Sequence, residues 1–481
     1  MSAGLTEPSP PRPDTPSTSD DFVRTVSHRI GGPLGRHAAI VGSAAASRVA
    51  LLVGALVYLL GAGLHLHCRP STVGQSVDAF KWMCYSDIGI LYGARGLLQG
   101  NTPYLQTGDY PVLEYPVLTG WFLELERRIN VALGAPTGPG LTDGQQLEAT
   151  NSFFLINVVL LGVLFLVAVW AQARTVRRRR WDAMMLAASP CVAAAGLINW
   201  DMLPVALTAL GCMYWARRQP VGAGVLLGLG MAAKLYPAFL LGPLLLLCLR
   251  SRRMREFGSL LGAFVATWTV VNLPVMVWAP DQWKSFWTFN SDRSGDLGSI
   301  WYVMSLAGHP VQNLNVVNAV LFLGACALIG ALILLAPRRP RFGAVAFLVI
   351  AAFLMTNKVY SPQYVLWLLP LLILARPRWR DWWVFTAGEL IYFAAIWWHL
   401  GGFLTPGDGS ADRVYWLAVL TRLATQGWLV LVVVRDALKP AADPVRRFGA
   451  DDPGGGSLDG AEDASWVRRL RAPASGSRQP A

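Results

Sequence analysis

The chain has 481 residues, of which 54% are hydrophobic and only 15% are charged. This composition excludes an ordinary soluble domain, and repeated apolar runs of about 20 residues match the hydrocarbon thickness that a membrane helix must cross. The formal charge of +12 does not indicate a nucleic-acid partner, because the Lys and Arg residues fall in short loops between the apolar runs, where membrane topology places them. We therefore expect an all-α polytopic protein of the cell membrane, since lipid cannot satisfy open backbone groups.

Both ends of the chain are predicted to be disordered cytoplasmic tails. Residues 1–43 are rich in Pro, Ser, Thr and Ala, and we expect no cleavable signal peptide among them. Residues 439–481 contain Gly- and Ser-rich stretches. The transmembrane domain is predicted at 44–438, and its first span, at 45–66, is expected to act as an uncleaved anchor.

A long polar loop at 67–152 follows the first span. It is predicted to hold two surface helices, at 79–99 and 117–133, and the second carries too many Glu and Arg residues to face lipid. Cys68 and Cys84 both lie in this loop, and a disulfide between them is one of two open alternatives. The other four cysteines lie in apolar runs and are interpreted as packing residues. The cysteines show no metal-binding spacing.

The rest of the domain is predicted to bring the total to about 12 spans. Three apolar segments are interrupted by polar residues, at 199–201, 234–237 and 357–363, so each is predicted to form two short helices. A second large loop is predicted at 279–313. The predicted spans after the first are 153–173, two within 182–216, two within 221–249, 257–278, 315–336, two within 342–375, 382–403 and 414–434.

The Arg clusters set the predicted orientation. With both termini in the cytoplasm, every cluster lies at the inner end of a span, as the positive-inside rule requires. The polar breaks and both large loops then lie on the extracytoplasmic face. Irregular backbone at membrane depth is tolerated where it lines a cavity. The sequence therefore predicts a polar, aromatic-lined cavity that opens outward.

Asp87 is the first candidate catalytic residue. It lies between Tyr85 and Ile88, in a segment expected near the outer membrane surface. A partly desolvated carboxylate there has a raised pKa and can act as a general base toward a hydroxyl. The alternative is an ordinary loop acid or helix cap.

Other polar residues of the loops and breaks are candidates, and each has a plainer structural alternative. Glu114 and Asp201 could instead stabilise helix starts. Lys234 and Lys358 could hold a lipid phosphate or only reach the membrane interface. His399 follows two tryptophans at a span end, where interfacial residues are common.

The second outer loop offers Arg293, which could contact a sugar or phosphate or lie on a solvated face. The chain has no phosphate-binding GxxxxGK[ST] loop, no HExxH motif and no nucleophile elbow. A nucleotide sugar is therefore not the expected substrate. An activated group carried on a lipid phosphate fits these features better.

Several motifs occur in a characteristic order along residues 45–438. They are Tyr85-Ser86-Asp87-Ile88, Tyr92, Arg95-Gly96-Leu97, Gly100, Pro103-Tyr104, Glu114-Tyr115-Pro116, Trp200-Asp201, Ala233-Lys234-Leu235-Tyr236-Pro237 and Asn357-Lys358-Val359-Tyr360-Ser361-Pro362-Gln363-Tyr364. Together they resemble glycosyltransferase family 87, which includes polyprenol-phosphate-mannose-dependent mannosyltransferases.

This resemblance implies a C-type glycosyltransferase fold with its active site on the extracytoplasmic face. It implies a hexosyltransferase, expected to be a mannosyltransferase, that takes a sugar from a polyprenyl phosphate. The acceptor would be a hydroxyl of a cell-envelope glycolipid or glycan, and the anomeric carbon would be inverted. The polyprenyl-phosphate sugar is a co-substrate, and neither a cofactor nor a metal is implied.

The resemblance also implies roles for individual residues. Asp87 would be the base that deprotonates the acceptor hydroxyl, and a cation would be needed beside the leaving phosphate. The candidate substrate-binding residues are Tyr85, Glu114, Tyr115, Asp201, Lys234, Tyr236, Arg293, Lys358, Tyr360, Gln363 and His399.

Two other functions remain open from the sequence. Broken helices and charges near mid-membrane would also serve a transporter or lipid flippase, although such a protein should carry polar breaks near the membrane centre from both sides. A non-catalytic membrane scaffold is the third hypothesis, and in a scaffold Asp87 would be dispensable.

Overall fold

A computed structural model describes residues 45–105, 108–176, 179–407, 411–446 and 449–471. These residues form helices joined by irregular segments, and the described part of the chain contains no β-strand. The all-helical class predicted from the sequence is therefore confirmed. The predicted tail at 1–43 lies outside the described residues.

The α-helices are numbered here in chain order. They are α1 Ala46–His67, α2 Asp87–Ala94, α3 Val117–Ala132, α4 Asp143–Thr175, α5 Met184–Ala187, α6 Pro190–Ala195, α7 Met202–Ala216, α8 Pro220–Ala233, α9 Leu241–Arg250, α10 Met254–Trp278, α11 Pro280–Asp292, α12 Ile300–Leu306, α13 Leu314–Leu335, α14 Phe342–Thr356, α15 Val365–Ala375, α16 Trp379–Leu400, α17 Arg413–Leu438 and α18 Ser465–Arg471. Short 3₁₀ turns occur at Arg180–Ala183, Tyr236–Leu240, Pro362–Tyr364, Pro440–Ala442 and Gly456–Leu458.

Five helices of the described chain are long and apolar enough to cross a membrane by themselves: α1, α4, α10, α13 and α17. Shorter apolar helices flank the predicted breaks at 234–237 and 357–363, whereas the break at 199–201 is followed by α7 but preceded only by the very short helices α5 and α6. In each case the helix stops close to the predicted break and another begins after it. The chain is thus a multispan membrane protein, while the count of twelve spans stays a prediction.

The long outer loop differs from its prediction in two places. Helix α2 covers only part of 79–99, because Ser86 caps its start and Gly96 and Gly100 adopt positive φ angles of 73° and 94° just beyond its end. Helix α4 begins well before the predicted start at 153, since a capping box of Thr142 and Gln145 starts the helix inside the loop. Helix α3 matches its prediction closely.

Helices α8 and α10 pack against each other through glycines. A Cβ atom at Gly224 would lie 2.2 Å from the Leu260 carbonyl oxygen, and one at Gly228 would lie 2.6 Å from the Phe264 carbonyl oxygen. Only a residue without a side chain allows the two backbones to approach this closely. This contact fixes the position of α8, whose last turn leads into the break at 234–237.

The prediction of a disordered tail over 439–481 does not hold for the described residues 439–446 and 449–467. We call these residues the C-terminal segment. Three of its aspartates pair with arginines at the ends of membrane helices. The pairs are Asp443 with Arg341 at 2.7 Å, Asp451 with Arg339 at 3.0 Å and Asp463 with Arg250 at 2.6 Å. Leu458 and Val467 of the segment are fully buried.

The order of the C-terminal segment has an electrostatic cause. The Arg clusters that set the predicted topology would leave positive charge buried at these helix ends, and the aspartates compensate it. The partners lie about a hundred residues or more apart in sequence, as Arg341 and Asp443 do, with a separation of 102. Local composition therefore gave no sign of the contact.

We predict that Asp443→Asn lowers the free energy of unfolding by about 3 kcal/mol, because Arg341 would stay buried without its counter-charge. Both side chains are at most 6% exposed. The measurement is thermal or denaturant unfolding in detergent. Asp281→Asn is the matched control, since its pair with Lys284 is exposed and should contribute nothing measurable. Equal stability of the two variants would contradict the structural role of the segment.

Candidate active site

Asp87 is the first residue of α2 and its backbone is fixed by two contacts. The Ser86 hydroxyl donates to the Leu197 carbonyl at 2.6 Å, and the Asp87 N–H donates to the Ile198 carbonyl at 2.7 Å. Both acceptors lie directly before the break at 199–201. The start of α2 and this break are therefore held together as one unit.

The segment before Asp87 is held from the other side by a disulfide. Cys68, the residue that follows α1, is bonded to Cys84. This result settles the alternative that the sequence left open. The ring of Tyr85 then packs against Phe80 and Trp397, with ring centroids 5.7 Å and 5.1 Å away. The segment before Asp87 is thus held by a disulfide and by packing between aromatic rings.

A cavity of about 510 Å³ opens beside Asp87. Its walls come from α2, the second large outer loop and all three breaks. Among the residues predicted from the sequence, those that line it are Tyr85, Asp87, Glu114, Tyr115, Lys234, Arg293 and Gln363. Residues that are far apart in the sequence therefore meet around one cavity. Tyr85 and Gln363, for example, are more than 270 positions apart.

The cavity changes the acidity of Asp87. Burial raises the pKa of its carboxyl group from 3.8 to about 6, because the charged form loses solvation. The Tyr85 hydroxyl and the positive charge of Lys234 oppose this rise, while the negative charges of Glu114 and Asp201 add to it. A carboxylate with this pKa is ionised at neutral pH and is a better proton acceptor than a solvated aspartate.

Lys234 lies in the second break and forms a buried ion pair. Its Nζ is 2.9 Å from Asp201 Oδ1, and 4.5 Å from the centre of the Tyr115 ring. Asp201 is 1% exposed and also accepts from the Trp367 indole N–H at 3.2 Å. Its side chain does not cap α7, so the capping alternative is wrong. Asp201 instead holds the ammonium group of Lys234 at the wall of the cavity.

Lys358 does not line the cavity, in contrast to its expected role at a phosphate. Its ammonium donates to the carbonyls of Ser291 and Arg293 at 2.9 Å and 2.6 Å, and to Asn315 Oδ1 at 2.5 Å. These three bonds use all three of its N–H donors. Lys358 therefore holds the second outer loop in place, and that loop carries Arg293 to the cavity.

Three further predicted substrate-binding residues lie behind the cavity wall. The Tyr236 hydroxyl donates to the Pro204 carbonyl at 3.1 Å, and its ring stacks on Trp367. His399 Nδ1 lies 2.7 Å from Asp412 Oδ2, and its ring stacks on Tyr415. Tyr360, the third, is fully buried. Sequence order placed these residues near the site but could not show that the polar atoms of Tyr236 and His399 face partners behind the wall.

Arg422 was not predicted as a site residue. It lies within α17, pairs with Glu389 at 3.0 Å, and donates to the Tyr360 carbonyl at 2.7 Å. Its guanidinium stacks 3.4 Å from the Tyr360 ring centre. Arg422 thus supports the third break, which continues to Gln363 in the cavity wall. An arginine inside an apolar span is itself a signal of function or support.

The cavity also contains side chains that the sequence did not single out as substrate-binding. They are Phe80, Asn199, Phe286, Phe289, Asn290, Tyr364 and Trp397, among others. Five of these seven are aromatic, and aromatic residues are too common in this chain for position alone to select them. Among the described residues, no three His, Cys, Asp or Glu side chains come together to hold a metal ion. Lys234 and Arg293 are the cations of the cavity wall.

The fold and the cavity define a multispan membrane protein with two carboxylates, of Asp87 and Glu114, and two cations around one cavity. Residues 145–362 match the model of glycosyltransferase family 87. This match covers 218 of the 481 residues and supports assignment of the chain to this family of membrane glycosyltransferases. The match includes the breaks at 199–201 and 234–237 and nearly all of the break at 357–363. It begins after Asp87 in the sequence and so does not include that residue. No curated protein matches the chain.

We predict that Lys234→Met alone lowers the free energy of unfolding by about 3–5 kcal/mol, because it leaves Asp201 buried without a counter-charge. Lys234→Met combined with Asp201→Asn should recover most of that loss, since a neutral amide can keep the contact with Trp367. Unfolding in detergent, followed by tryptophan fluorescence, measures both. A double variant as unstable as the single one would show that the ion pair is not the source of the loss.

Proposed function

We propose that this glycosyltransferase moves a sugar, expected to be mannose, from a polyprenyl-phosphate donor to a hydroxyl of a cell-envelope glycolipid or glycan. The transfer inverts the anomeric carbon and takes place on the extracytoplasmic face. The observation that carries this proposal is that Asp87, Lys234 and Arg293 line the same cavity. A base and phosphate-binding cations are the two parts that this reaction needs.

The proposed reaction is a single displacement. Asp87 accepts the proton of the acceptor hydroxyl, and the acceptor oxygen bonds to the anomeric carbon. The bond from that carbon to the phosphate oxygen breaks on the opposite side, and its electron pair leaves with the polyprenyl phosphate. Lys234 and Arg293 stabilise the negative charge that develops on the leaving phosphate.

The surroundings of Lys234 suit this role. Its pair with Asp201 keeps the ammonium charged despite burial, and the side chain stays 14% exposed toward the cavity. One carboxylate contact leaves further N–H donors of the ammonium for a phosphate. Arg293 is held by a salt bridge to Asp296 within the same loop.

A narrow apolar recess next to the cavity supports a lipid-linked donor. It shares Tyr115, Pro116 and Phe286 with the cavity. Its other walls come from α8, α10 and α11 and include Trp268 and Trp283. The recess holds only about 20 Å³, so an isoprenoid chain would lie across its opening and contact these side chains, while its phosphate lies in the polar cavity.

Two observations support an extracytoplasmic site. The Cys68–Cys84 disulfide borders the cavity segment, and disulfides persist in oxidising compartments. The arginines that pair with the C-terminal segment lie at the far ends of the short helices. Helix α14, for example, separates Arg341 from the break at 357–363 by 15 residues, or roughly 22 Å.

The arrangement of the breaks favours an enzyme over the alternative of a transporter or flippase. All three breaks contribute to the same cavity, and the long outer loop closes it from the same side. A transporter would need access to its site from both sides of the membrane. The match to a glycosyltransferase family also favours an enzyme over a transporter.

We predict that Asp87→Asn reduces sugar transfer by about 10²–10⁴-fold, the usual contribution of a general base. The assay uses membranes with labelled polyprenyl-phosphate mannose and a glycolipid extract. Asp109→Asn is the control, since Asp109 is an exposed acid of the same loop and should leave transfer unchanged. Equal product from wild type and Asp87→Asn would remove Asp87 as the base. If wild type makes no product, other lipid-linked sugar donors are the next arm of the same assay.

We also predict the pH dependence of the reaction. With a pKa of about 6, Asp87 is ionised above this pH and able to accept a proton. As the pH falls below about 6, kcat/KM should drop by about tenfold per pH unit, because kcat/KM reports the ionisation of the free enzyme. Initial rates at low donor concentration measure it. A value that stays flat between about pH 5 and about pH 7 would contradict a base with this pKa.

A further inference from the structure

The break at 199–201 is anchored by a different contact at each residue. The Asn199 amide donates to the Tyr115 hydroxyl at 3.2 Å, and Asp201 belongs to the ion pair described above. Trp200 instead donates its indole N–H to Glu126 Oε2 on α3, at 2.8 Å. The ring of Trp200 also meets the ring of Tyr115 edge to face, with centroids 5.7 Å apart. Trp200 thus connects Glu126 to the cavity wall.

Glu126 is a buried acid without a counter-charge. It is 0% exposed, and the ion pairs found among the described residues do not include it. The neighbouring acid Glu124 pairs with Arg127 and Arg128, each at 2.7 Å, so these cations are already engaged. From α1, Tyr58 faces Glu126, and its hydroxyl donates to the Val158 carbonyl. An ionised carboxylate at this position would bear a large desolvation penalty.

The surroundings of Glu126 contain several hydrogen-bond acceptors that lack a donor among the described residues. Within the described chain, Glu126 Oε1 lacks a partner, as do the amide oxygens of Asn130 and Asn157. Asn130 lies one turn from Glu126 on the same face of α3, and Asn157 approaches Glu126 from α4. Carboxylate and amide oxygens only accept, whereas a protonated carboxyl group also donates. One proton on Glu126 supplies the donor that this cluster lacks.

We infer that Glu126 is a neutral carboxylic acid and acts as a positioning residue, which holds Trp200 and through it the Tyr115 ring against Lys234. Its effect on catalysis rests on the proposed function, but its protonated state does not. Burial also raises the pKa of Glu126 well above its ordinary value, in agreement with this arrangement. Glu126 neither lines the cavity nor contacts the reacting groups. Asp87 is therefore the ionised acid that accepts the proton, and Glu126 is the neutral acid that positions Trp200.

Substitutions at Glu126 distinguish a neutral donor from a charged group. Glu126→Gln keeps an acceptor for Trp200 and adds an N–H donor, so transfer should stay within about threefold of wild type. Glu126→Leu removes both the acceptor and the donor. We expect kcat/KM to fall by about tenfold or more, because a small displacement of the residues around the reacting atoms strongly lowers the rate. The apparent pKa near 6 that is assigned to Asp87 should persist in both variants. A loss in Glu126→Gln as large as in Glu126→Leu would overturn the inference.

Trp200→Phe tests the connection itself. It keeps a ring beside Tyr115 but removes the indole N–H, and it should lower kcat/KM in the same direction as Glu126→Leu. Activity of Trp200→Phe equal to wild type, with Glu126→Leu impaired, would show that Glu126 does not act through Trp200. All variants are compared at equal amounts of folded protein.

Infrared spectroscopy of the purified protein tests the charge state without any assay of transfer. At about pH 8, Asp87 is ionised according to its pKa of about 6. The difference spectrum of wild type minus Glu126→Gln should then contain the carbonyl stretch of a protonated carboxyl group. Its absence, with a carboxylate band in its place, would overturn the neutral state. Because this measurement needs no substrate, it stands even if the proposed donor is wrong.

Discussion

Unwound backbone inside a membrane protein must find its hydrogen-bond partners within the protein, because lipid offers none. This constraint explains most of the polar architecture around the cavity. Beside the first break, the Leu197 and Ile198 carbonyls accept from Ser86 and Asp87, and in the third break the Tyr360 carbonyl accepts from Arg422. Directly before the second break, the Ala233 carbonyl accepts from the Thr119 hydroxyl of α3. The buried polar residues therefore support broken helices first, and the cavity wall is a consequence of that support.

Charge is distributed between two ends of the helix bundle. At one end, the aspartates of the C-terminal segment compensate Arg341, Arg339 and Arg250. At the other end, Lys234 and Arg293 remain at the cavity surface. The buried pairs at the first end stabilise the fold, whereas at the second end Lys234 and Arg293 are paired with aspartates but stay partly exposed, so some of their N–H donors face the cavity. Basic side chains are thus buried in ion pairs at one end and reach the cavity surface at the other.

Three buried acids show how local surroundings divide tasks. Asp201 has a lysine partner, which opposes the rise in its pKa that burial causes. Glu126 has no such partner among the described residues and is best satisfied as a neutral donor. Asp87 lies between these extremes, since burial raises its pKa while Lys234 and Tyr85 limit the rise. Environments that separate the acidities of neighbouring groups are what acid–base chemistry requires.

The sequence by itself determined the all-helical membrane class, the three breaks, helix α3 and the family, because apolar periodicity, Arg placement and motif order are local properties of the chain. It also selected Asp87, Lys234 and Arg293, which the structure brings to one cavity. Only the tertiary structure decided that Lys358 holds a loop and that the C-terminal segment packs against the helix ends. Those roles depend on partners that are remote in sequence, and an ammonium or carboxylate shows its task only when the atoms around it are known.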